Sequence, residues 1–119
     1  MPSPLAWLFA FLVTAAVETP IVLYLTGDRG MGAGRRAGLI VFAQLATHPL
    51  VWFVFPRIAG LTGYSAMALS ELWAWLAEAV FYGLVFPGIG ASRAIGISAL
   101  ANAASILAGV ALHRWGALG

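Results

Sequence analysis

The chain has no cysteine, no lysine and only four acidic residues. The first absence removes disulfides, thiolate metal ligands and cysteine nucleophiles together. Without lysine, the net charge of +2 rests on six scattered arginines. Such a distribution reports membrane topology rather than a nucleic-acid partner. Charge of either sign is scarce: 8% of residues are charged and 62% apolar, whereas a globular domain is about a quarter charged and nearly half apolar. A water-soluble domain of this size cannot hide that much apolar surface, so the expected solvent is lipid. There, backbone groups need internal partners, and only helices or closed barrels survive. Period-two alternation is also lacking, and the apolar runs approach twenty residues, which selects helices.

Four such runs are present, about 5–26, 37–55, 66–86 and 94–112. The expected fold is all-α, a single antiparallel bundle of four transmembrane helices. Thr14-Ala15-Ala16 resembles a signal-peptide cleavage site, but no basic region precedes it, so the first run reads as a span. The segment from Gly27 to Arg36 reads as a flexible linker that carries Arg29, Arg35 and Arg36. It lacks the strand and the glycine spacing of a phosphate-binding loop, and Arg35 and Arg36 are expected to meet lipid phosphates. Four arginines on this side (Arg29, Arg35, Arg36 and Arg93) against Arg57 and Arg114 on the other favour both termini outside the cytoplasm of a bacterial inner membrane. Trp7, Trp52 and Trp115 then form an outer aromatic belt, with Trp73 and Trp75 in a structural role.

The scarce polar residues are sorted by depth. Three of the four acids, Glu18, Glu71 and Glu78, lie inside apolar runs. Counting inward from the arginine-rich side at 1.5 Å per residue puts Glu18 and Glu78 about 12 Å deep, Asn102 about 15 Å and His48 about 16 Å. One strongly polar residue from each span thus approaches the midplane of a core about 30 Å thick. Glu71 is one heptad further out on the face of Glu78. Helical spacing adds supporting partners: Thr14 with Glu18, Gln44 with His48, Tyr82 with Glu78, and Ser98 and Ser105 with Asn102; Thr47 is a further polar residue just before His48. Pro20 and Pro49 follow two of the polar residues, where each frees a carbonyl four residues back and is expected to kink its helix. Insertion arithmetic gives these groups a reason to meet. Two charged residues at a helix centre cost about 5 to 7 kcal/mol, whereas the eight strongest apolar residues of the third span contribute only about 2.4 to 5. That span inserts with neutral glutamates or beside polar partners.

The leading expectation is a membrane protein with a central protonatable site that moves a proton, cation or small polar solute, acting as a homo-oligomer. The alternative is a structural, assembly or cofactor-holding subunit of a larger membrane complex. A membrane-embedded hydrolase or transferase using Ser98 or Ser105 with His48 ranks third, since nothing in the sequence marks a nucleophile or an oxyanion hole. As metal ligands, Glu18, His48 and Glu78 are chemically adequate but lack a sequence-local pair. No cofactor is assigned. Length, four spans and a glutamate in the first span resemble the small multidrug-resistance transporters. The further aromatic and glycine motifs of that family are missing, so no residue role is carried over. Leu45-Ala46-Thr47 and Leu100-Ala101-Asn102 echo each other, each after a span with a glutamate.

Overall fold

The computed structural model describes residues 3–28, 30–58, 60 and 63–114. Four helices make up nearly all of it: α1 (Pro4–Thr26), α2 (Ala33–Pro49), α3 (Gly63–Val85) and α4 (Ala91–Arg114). Each is long and apolar enough to cross a membrane, α2 doing so together with the turns that continue it to Arg57. The longest dimension, 42 Å, matches the 40–45 Å of a bilayer with its headgroups. Arg29 and Trp115, used above for charge balance and the aromatic belt, lie outside the described residues.

Sequence dictates the helix ends. Ser3 accepts from the Ala6 amide at 3.0 Å, and Pro4 starts the first turn, where its missing N–H is harmless. Gly27 ends α1 at φ 63°, a conformation costly for any residue with a Cβ. α2 starts four residues earlier than expected. Arg35 and Arg36 therefore belong to its first turn, and Arg36 does not reach toward lipid phosphates. It is buried and donates from Nη1 to the Leu23 carbonyl at 2.9 Å and to Thr26 Oγ1 at 3.3 Å. Arg93 donates to the Leu25 carbonyl at 2.9 Å. The last carbonyls of a helix have no intrahelical donors and carry its negative dipole end, which is why two arginines settle there.

The helices form a four-sided ring in which α1 packs on α2 and α4, and α3 on the same two. Neighbours run antiparallel: Trp7 at the start of α1 meets His48 near the end of α2, and Leu25 at the end of α1 meets Arg93 at the start of α4. One half of the ring is solid. Val22, Ile40, Tyr82, Phe86, Ile89 and Ile97 fill it, and the rings of Tyr82 and Phe86 lie 5.7 Å apart. The outer surface is apolar, with Leu5, Tyr24, Leu84 and Leu107 each at least 70% exposed. Soluble monomers do not show apolar surface on this scale.

The two helix prolines behave differently. α1 continues through Pro20. After Pro49, α2 gives way to a π-helical segment Leu50–Val54 and a 3₁₀ turn Phe55–Arg57. The Leu50 amide reaches Thr47, three residues back, and the Phe55 amide reaches Leu50, five back. Tightening and then widening accommodates a ring that cannot donate to the Leu45 carbonyl.

Candidate functional site

The other half of the ring is hollow. A partly open cavity of about 450 Å³ is bounded by Ala10 to Glu18 of α1, Gln44 to Trp52 of α2 and its π segment, Met67 to Glu78 of α3 and Asn102 to Arg114 of α4. These are the stretches nearest the chain's two ends, so the cavity faces the terminal side. Glu18, Gln44, Glu78 and Asn102 form its deep end, and the Tyr82–Phe86 core lies beyond them.

All five principal residues singled out in the sequence, Glu18, His48, Glu71, Glu78 and Asn102, line this one cavity. Glu18 and Glu78 are 2% exposed and Asn102 8%. Asn102 Nδ2 donates to Glu78 Oε1 at 3.0 Å, to the Ser98 carbonyl at 2.9 Å and to Ser98 Oγ at 3.3 Å. Ser105 shares the cavity wall with the Glu18 carboxyl, whose Oε1 has no partner. The groups touching the two deep carboxyls are thus neutral. Glu71 joins those two carboxyls on the wall of the same cavity.

Of the supporting residues, Thr14, Gln44, Thr47 and Ser105 also line the cavity. Thr14 Oγ1 lies 3.5 Å from His48 Nε2, while Thr47 returns its hydroxyl to the Ala43 carbonyl at 3.2 Å. Ser98 and Tyr82 are not wall residues. Ser98 Oγ donates to the Trp75 carbonyl at 2.8 Å and Trp75 Nε1 to the Ile95 carbonyl at 3.0 Å, so this pair stitches α3 to α4. Tyr82 is fully buried in the core with its hydroxyl unpartnered.

Two features go beyond the sequence reading. Gln44 is 1% exposed and both of its amide atoms lack partners, which makes it as central as the acids. Its place one helical turn before His48 was the available signal. An aromatic surround also encloses His48, with the rings of Phe11, Trp52 and Trp7 at 5.6, 6.3 and 6.4 Å. Nothing local in the sequence marks that cluster, because it joins the two ends of the first helical pair.

The metal option weakens. Among the described residues no three His, Cys, Asp or Glu side chains are placed to hold an ion: Glu18 and Glu78 sit at the deep end, whereas His48 lies one helical turn from Gln44 toward the mouth. The hydrolase option weakens too, since Ser105 donates to the Asn102 carbonyl at 3.0 Å and Ser98 to Trp75, which leaves Thr14 beside His48. The chain matches no family model, no curated protein and no solved structure. What it does must be argued from the cavity.

Proposed function

We propose that the chain is an integral membrane protein, placed in a bacterial inner membrane with both termini outside the cytoplasm, that moves a proton, cation or small polar solute through the central cavity. The supporting observation is convergence. Each helix contributes a polar side chain to one hollow near the middle of the apolar span, and two of these are carboxyls with neutral partners. Hydrocarbon makes decorative carboxyls expensive, so intramembrane acids are functional candidates by default. Two negative charges this close between carbon walls raise the electrostatic energy steeply. A proton or cation held between Glu18 and Glu78 relieves it. Glu71, nearer the mouth, is the relay toward the terminal side, and His48 lies on the neighbouring helix. The working unit in this reading is a homo-oligomer.

Flux of protons and monovalent cations into liposomes containing the purified protein tests this reading. We expect Glu78→Gln and Glu18→Gln each to lower flux at least about tenfold, in line with the contribution of one positioned acid–base group. Parent-like flux from both variants at every pH would remove the proposal.

The alternative, a structural or cofactor-holding subunit, draws on one observation. A groove between α3 and α4, lined by Leu72, Trp75, Ala99 and Ile106 and reaching Glu71 and Asn102, has room for part of a neighbour's helix. Purification in a mild detergent decides it: a chain that is always monomeric and partner-free does not serve that role.

A further inference from the structure

Proton, inorganic cation and polar solute make different demands on a wall. A small metal cation needs a shell of about six oxygens at fixed distances. This cavity offers no such shell, because its three carboxyls are spread from the deep end toward the mouth and much of the wall between them is carbon: Val13, Val51, Trp52, Ala74, Ile106 and Val110. A strongly polar neutral solute would leave most of its hydrogen-bonding groups facing those walls, at a cost for each. The volume of about 450 Å³ falls within the range of about 300 to 1,000 Å³ typical of small-molecule pockets. It is far more than a proton requires.

The deep end adds an independent observation. Gln44 presents both an unpartnered donor and an unpartnered acceptor from a side chain 1% exposed, and Glu18 presents an unpartnered oxygen from one 2% exposed. Acceptor oxygens of Gln44, Glu18 and Glu78 thus gather at one end of the cavity, with the Gln44 amide N–H2 the unpartnered donor among them. A primary ammonium has three N–H donors, carries positive charge and has no acceptor. Its charge answers the acids, its N–H groups answer the oxygens, and an attached apolar body fits the carbon walls. Trp52 presents an indole ring on the way in, a surface that attracts organic cations.

Resting on the transport reading above, we infer that the cavity binds a primary organic amine in its ammonium form, with the head among Glu18, Gln44 and Glu78 and an apolar body extending toward Val51, Trp52 and Ile106. The natural ligand belongs to the class of monoamines with an aliphatic or aryl body that fits a cavity of about 450 Å³.

The test is equilibrium binding of radiolabelled phenethylammonium to the purified full chain in detergent, with proton flux in liposomes measured in parallel. Saturable binding is expected, with methylammonium competing at least about tenfold more weakly because it lacks the apolar body. Sodium and 2-phenylethanol are expected not to compete at the same concentration. Glu78→Gln should abolish binding. Gln44→Leu, which removes an amide with no protein partner, should weaken it about tenfold or more while the thermal midpoint stays unchanged or rises. Competition by sodium as strong as by amines, or parent-like binding in Glu78→Gln and Gln44→Leu, overturns the inference. Glutamate-dependent proton flux without amine binding overturns it while leaving the transport reading intact. Loss of both results removes both.

Discussion

At the scale of single residues, Asn102 and Gln44 show how differently two buried amides can behave. Asn102 is saturated: it holds Glu78 and ties back to Ser98. Replacing it with alanine leaves a buried carboxyl oxygen without its donor, and such a loss costs about 1–3 kcal/mol. We therefore expect Asn102→Ala to lower the thermal midpoint of the protein in detergent, read by circular dichroism, whereas Gln44→Leu should not. Asn102→Asp adds a fourth acid to the wall in place of a donor, so it should destabilise at least as much as alanine in the same melt. Depth of both residues was legible in the sequence, because the rise per residue of a helix is fixed and the spans alternate in direction. Whether each amide would find a partner was not legible. Partnering depends on the rotation of a helix about its axis, and a helix apolar on nearly every side carries little signal of its inward face.

The elements were predicted most securely by length and least securely at their ends. Apolar runs located all four helices, while the glycines and arginines before residue 37 suggested a linker where α2 has already begun. The sequence reading missed the reason: Arg36 turns inward because the last carbonyls of α1 need donors. Arg36→Leu is expected to fray that corner, costing about 1.5–3 kcal/mol for the lost charged hydrogen bonds. Hydrogen exchange should show faster exchange confined to residues 21–36, and uniform exchange across all four helices would contradict this. Pro49 supplies a second test at this scale. Pro49→Ala restores a donor for the Leu45 carbonyl and removes the reason for a π segment. A return to regular α-helix should rotate Trp52 relative to the cavity and shift its emission maximum, measured in a chain whose other four tryptophans are replaced by phenylalanine.

For the whole molecule, the division into a hollow half and a solid half is the main result. The absence of native cysteine makes it testable by single substitutions. Cysteines placed at Val13, Val51 and Ile106, all on the cavity wall, should react with a membrane-impermeant thiol reagent from the terminal side only. Cysteines at Val22 and Ile40, which are 0% exposed within the core, should react from neither side. Labelling of the deep pair at the rate of the wall positions would mean that the solid half is open.

That asymmetry also decides where a membrane voltage would fall. A cavity that admits water from one side supports less of the potential than packed side chains do, so in an energised bilayer the field would concentrate across the packed layer around Tyr82 and Phe86. A charge arriving at Glu78 from the terminal side would cross little of it. A charge leaving past Tyr82 would cross nearly all, worth about 2.3 kcal/mol per 100 mV. Loading would then be nearly blind to voltage, and release on the far side would be the voltage-dependent step.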